Sequence, residues 1–181
     1  MNETELYRVL LDERSMALAA RGQAGRDVAA QRDYLVCALG NERYGIALGA
    51  IATVLPQRLC TVVPGAPAAL RGIISHAGII VSVIDLGVAL GGGRDSATGQ
   101  SGHLLRLRAE GPPVALAVDR VIRLASIEAD AITVAPTAGP HPGLGAEAVS
   151  GYAPAGSERD GAAGGGFAIL DLPRLLRPYL P

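Results

Sequence analysis

The chain has 181 residues, 49% hydrophobic and 18% charged, and its 24 Gly and 12 Pro make about one residue in five a point of backbone punctuation. Sixteen basic residues, all of them arginine, stand against seventeen acidic ones for a net charge of −1, and only six aromatic side chains occur, so no nucleic-acid surface of the phosphate-tracking or base-stacking kind is indicated. The longest apolar runs, such as residues 77–84, fall far short of the roughly 20 residues that cross a bilayer, so direct membrane insertion is not expected.

The chain opens Met1-Asn2-Glu3-Thr4-Glu5, acidic where an export signal carries positive charge, and a cytoplasmic location is therefore expected. Asn2 and Glu5 resemble a capping pair, and Leu6, Val9, Leu10 and Ala17 recur near helical spacing, which predicts a helix over 3–20 and a linker to about residue 28. Tyr7, Leu11 and Leu18 form a second apolar row that either the helix's own domain or a partner must cover.

From Arg32 onward, short runs rich in Val, Ile and Leu are broken every eight to twelve residues by Gly, Pro, Asn or Asp, the pattern of small-strand barrels or sandwiches. Strands are predicted at 32–39, 43–48, 51–58, 71–75 and 79–85, with a hairpin turn at Gly40-Asn41-Glu42 and an irregular segment at Pro64-Gly65-Ala66-Pro67. Cys37 and Cys60 fall in apolar stretches and read as buried thiols.

The second half repeats the first. Residues 44–51 overlay 114–121 at an offset of 70, and 81–90 overlay 167–176 at an offset of 86. The difference places about sixteen extra residues in the second half, where 136–142 and 155–166 have loop composition. Alternating apolar sequence can produce such overlays by chance; the Asp-Leu shared by both halves after an apolar strand speaks for duplication. The expected organisation is a first barrel at about 32–90, a Gly-rich linker at 91–102, a second barrel at about 103–171, and a terminal helix at 172–179 that carries Pro173 in its first turn.

Little reactive chemistry is visible. His76, His103 and His141 are scattered without metal-ligand spacing, and no phosphate-cradling or dinucleotide motif occurs, so neither metal nor cofactor is predicted. Asp85, Asp119 and Asp171 each follow an apolar strand. They are the starting point for a small Asp-dependent hydrolase, but Asp85 and Asp171 lead into short helices and fit turn or helix capping better, so no catalytic residue is assigned.

The residues Tyr34-Leu35-Val36-Cys37-Ala38-Leu39-Gly40-Asn41-Glu42-Arg43-Tyr44-Gly45-Ile46, then Ile51 and Val54, then residues 67–74, 78–86 and Val118-Asp119-Arg120-Val121, occur in the order found in the CheW family of chemotaxis coupling proteins. The resemblance covers about residues 32–178. It implies a mainly β fold of two five-stranded SH3-like barrels, and a non-enzymatic adaptor that joins chemoreceptors to a CheA-type histidine kinase. It also implies a kinase-domain interface at Arg71, Gly72 and Gly78, and a groove at Ile46, Ile51, Thr53, Val54 and Ala77 for the helical tip of a receptor. The chain departs from the family pattern: Thr53 stands for a Glu, Ser75-His76-Ala77-Gly78 for Asn-Leu-Arg-Gly, Ser82 for a Pro, and Gly87 for an Arg. Because an acid and a base are missing together at Thr53 and Ala77, a scaffold that binds CheW-like regulatory domains without receptor coupling is the alternative.

Overall fold

The computed structural model describes residues 31–92, 102–108, 111–134, 146–156 and 165–179; the expected N-terminal helix, most of the linker and His141 lie outside them. The described chain forms β1 (Gln31–Leu39), β2 (Glu42–Ala47), β3 (Ile51–Pro56), β4 (Leu70–His76), β5 (Ile79–Asp85) and α1 (Leu86–Ala89). It continues as β6 (His103–Leu107), β7 (Val114–Val118), β8 (Arg120–Glu128), β9 (Thr133–Val134), β10 (Val149–Ala153), β11 (Phe167–Leu170) and α2 (Leu172–Leu176). The five strands predicted in the first half are all present, with ends displaced by at most two residues. In the second half, the apolar stretch from Val114 is broken at Asp119, whose carboxylate turns aside to accept the Gly40 N–H at 2.6 Å.

The strands form two sheets, one in the order β8-β1-β2-β11-β10-β9 and the other β3-β6-β7-β5-β4. One sheet thus has six strands rather than five, because the two-residue β9 pairs with β10; its counterpart on the other sheet is a single bridge from Thr61 to Ile73. The expected boundaries at 32–90 and 103–171 divide the chain by sequence, whereas hydrogen bonding divides it differently. The β1–β2 hairpin joins strands of the second half, and the β6–β7 pair joins strands of the first.

The sequence overlays show that the exchanged strands are equivalent. The first overlay matches β2 with β7 and the second matches β5 with β11, and the two parallel pairings in the fold are β5 with β7 and β11 with β2. Each sheet therefore takes the first two strands of one repeat and the later strands of the other, three in the five-stranded sheet and four in the six-stranded one, so that neither half completes a sheet alone.

Strand alternation then fills three apolar layers. Leu35 and Cys37 of β1, Ile46 of β2, Leu105 of β6 and Val114, Leu116 and Val118 of β7 face a core shared by the sheets, capped by Leu86 of α1 and Leu175 and Leu176 of α2. The opposite faces bury Tyr34, Val36 and Phe167 inside the six-stranded sheet, and Val81, Val83 and Leu104 inside the five-stranded one. With both faces covered, β1 and β7 read as the unbroken apolar runs Tyr34 to Ala38 and Val114 to Val118.

Candidate functional site

The turn after β1, the start of β4, the end of β5 with α1, and the end of β7 enclose a cleft of about 240 Å³ whose polar lining is Glu42, Tyr44, Arg71, Asp85 and Asp119. Glu42 and Tyr44 are two residues apart on β2 and so share a face. The Tyr44 hydroxyl donates to Glu42 Oε2 at 2.6 Å. Burial, then the hydrogen bond and charge of Glu42, hold that hydroxyl protonated beyond its ordinary range. The strand-end aspartates are engaged by backbone: Asp85 Oδ1 accepts the Val88 N–H at 3.1 Å and caps α1, Asp171 Oδ1 accepts the Arg174 N–H at 3.1 Å and caps α2, and Asp119 holds Gly40. Each carboxylate thus fixes a turn or a helix start.

The residues expected at the kinase-domain interface lie along the β4–β5 hairpin. Arg71 is half-buried at the start of β4 and lines the cleft, while Gly78 is exposed in the hairpin turn, about 20 Å away by the rise of an extended strand. Gly72 is buried at a bulge with φ of 143°, and a side chain there would strike the Thr61 carbonyl, which is fixed by a pair of 2.9 Å hydrogen bonds between Thr61 and Ile73. Gly72 therefore admits the loop that covers β4 and offers no side chain of its own.

The expected groove residues divide by burial. Ile46 has no exposed surface and Ile51 is 7% exposed; both belong to the shared core and can support a groove only from beneath. Val54 is 41% exposed, Thr53 half-buried, and Ala77 exposed in the same turn as Gly78. Val54 and Thr53, not the isoleucines, are thus the β3 residues that reach the surface, and as neighbours on a strand they point to opposite faces. Ala77 adopts φ of 50° and Gly78 φ of 78°, the two positive angles that a two-residue hairpin turn of this twist demands.

The CheW-like domain family model matches residues 33–178. The chain belongs to the CheW family. No curated protein matches the sequence. Among solved structures, the chain is similar to the scaffolding protein TtCheW from Thermoanaerobacter tengcongensis, at 23% identity and a TM-score of 0.67, over 80% of this chain and 87% of that one, a likeness that speaks for the fold.

Within this CheW-like fold, sequence inspection overlooked the joint role of Glu42, Tyr44 and Asp119 in closing the cleft around Arg71, and overlooked Arg106 altogether. Arg106 lies on β6 directly across from Thr53 on β3, the position at which an acid is expected, and its Nε is buried without a hydrogen-bond partner among the described residues. The alternation Leu104-Leu105-Arg106-Leu107 was the available signal, since an arginine inside a run of core leucines must either find an acceptor or reach solvent. Among the described residues no group of His, Cys, Asp or Glu could hold a metal ion, and no helix is long and apolar enough to cross a membrane.

Proposed function

We propose that this protein is a non-enzymatic adaptor that couples chemoreceptors to a CheA-type histidine kinase on the cytoplasmic side of receptor arrays. The observation that carries this reading is the family match across residues 33–178, and a two-sheet body whose strand-end carboxylates are occupied by backbone N–H groups supports it. On this reading Arg71 and Gly78, with Gly72 shaping the strand between them, present the β4–β5 hairpin to the kinase's homologous regulatory domain. Thr53, Val54 and Ala77 then receive the receptor's helical tip as a helix laid against an apolar surface, supported from below by Ile46 and Ile51.

The test is co-elution of the full chain with a kinase regulatory domain and with a receptor cytoplasmic hairpin from the same genome. Binding to both is expected, with Arg71→Glu weakening the kinase arm and Val54→Asp the receptor arm. Binding to neither defeats the reading.

A further inference from the structure

The two sheets place Arg106 where an arginine is out of pattern. The offset of 70 that relates β2 to β7 makes Gly45 the counterpart of Ala115. Gly45 pairs with Val36 and Ala115 with Arg106, so Arg106 occupies the place held in the six-stranded sheet by a valine with no exposed surface. The same offset makes Thr53 the counterpart of Arg123. Each sheet thus carries one arginine at this level, on β8 in one and on β6 in the other.

Arg123 donates from Nη2 to the Gly165 carbonyl at 3.5 Å. Arg106 is half-buried beside an uncharged Thr53 and the small Ala115, and its enclosed Nε meets no acceptor among the described residues. A guanidinium held in this way carries the desolvation cost of burial without the hydrogen bonds that normally offset it, whereas valine, which the other sheet uses, would fill the same place at no such cost. The arginine is the expected choice if an acceptor arrives from outside.

We propose that Arg106 is a carboxylate-binding residue, and that it takes an aspartate or glutamate side chain of the helix that docks against β3. This rests on the adaptor reading for the identity of the helix, but not for the availability of the cation. A carboxylate matches the guanidinium fork in charge and geometry, and the neutral Thr53 gives its buried Nε no acceptor, nor does any other of the described residues.

Four full-length chains test this: wild type, Arg106→Gln, Thr53→Glu and the double variant. In thermal unfolding, Thr53→Glu supplies a carboxylate directly across the strand pair, so it is expected to raise the midpoint in the wild-type background and not in the Arg106→Gln background. In binding to a receptor cytoplasmic hairpin, Arg106→Gln is expected to weaken affinity about tenfold or more and to flatten its salt dependence. Thr53→Glu is expected to weaken binding as well, by filling the fork from within. Equal midpoint shifts of Thr53→Glu in both backgrounds would overturn the proposal, as would wild-type affinity in Arg106→Gln. Failure of the wild type itself to bind the hairpin would count against the adaptor reading, while the unfolding comparison would still decide whether Arg106 is free to take a carboxylate.

Discussion

The six-stranded and five-stranded sheets are assembled from equivalent strands, yet they solve the same packing problem with different side chains. In the six-stranded sheet, Phe167 lies over Gly45 and meets Tyr34 edge to face, with ring centroids 5.9 Å apart. In the five-stranded sheet the overlay places Val81 at the position of Phe167 and Leu104 at that of Tyr34, and Arg106 stands in place of Val36. The backbone devices are retained all the same. Both β4 and β10 carry a register shift just before a glycine, Gly72 or Gly151, and each glycine faces the carbonyl of a threonine, Thr61 or Thr133, on the segment that covers the strand. What has been kept is the route of the chain; what has diverged is the filling, and the filling of the five-stranded sheet is where a binding function has room to enter.

The largest expected effect removes the aromatic pair on which the six-stranded sheet relies. Phe167→Ala should cost about 3–5 kcal/mol in denaturant unfolding, the range for a wholly buried ring; a cost near 1 kcal/mol would mean that this sheet is filled no differently from the other.

Next in size, Gly72→Ala should cost about 3 kcal/mol, because it adds strain at a positive φ to a collision with a hydrogen-bonded carbonyl. Gly151, which has no positive φ and whose added methyl would lie 3.0 Å from its neighbours, should cost about half as much on the same reasoning. Equal costs would break the comparison between the bulges.

The two cysteines separate by pH. Burial pushes the Cys37 thiol up to about 12 from 9.0, whereas Cys60 is raised by burial with Arg71 pulling the other way. Above pH 9 the unfolded chain releases the Cys37 proton while the folded chain keeps it, so fewer protons are bound unfolded than folded and stability must fall as pH rises. The expected slope is about 1.4 kcal/mol per pH unit between 9 and 12, absent below 9 and reduced in Cys37→Ala. Tyr44, protonated beyond its ordinary 10.0 by burial and Glu42, adds to the decline above pH 10, a contribution that Tyr44→Phe removes. A profile unchanged by Cys37→Ala would contradict the assignment.

The smallest effect is a gain. Ala77 sits at a positive φ that asparagine and glycine adopt more readily, so Ala77→Asn should stabilise by about 0.5–1 kcal/mol. If it also leaves partner binding intact, Ala77 serves the turn; if binding changes, the exposed turn belongs to the docking surface.

Much of this was legible in the sequence, for reasons that particular residues make plain. The unbroken runs from Tyr34 and Val114 and the turns at Gly40 and Gly78 mark strands directly, and Asp85-Leu86 and Asp171-Leu172 mark the two caps and the duplication. The exchange of strands between sheets was not legible, because a repeat offset says which strands are equivalent and not which copy each one pairs with. Likewise Ile46 and Ile51 follow the family's spacing while lying in the core, since spacing along a strand fixes which face a residue shares and not whether that face meets solvent. Arg106 escaped notice because its interest depends on Thr53, 53 residues earlier, and only the strand register brings the two together.

The central claim is that the chain couples a receptor to a kinase, and kinase output in a reconstituted receptor array measures this most directly. The account predicts that receptor ligand changes the phosphorylation rate of the CheA-type kinase only when this protein is present. A kinase rate that responds equally with and without it, or that never responds, would contradict the account.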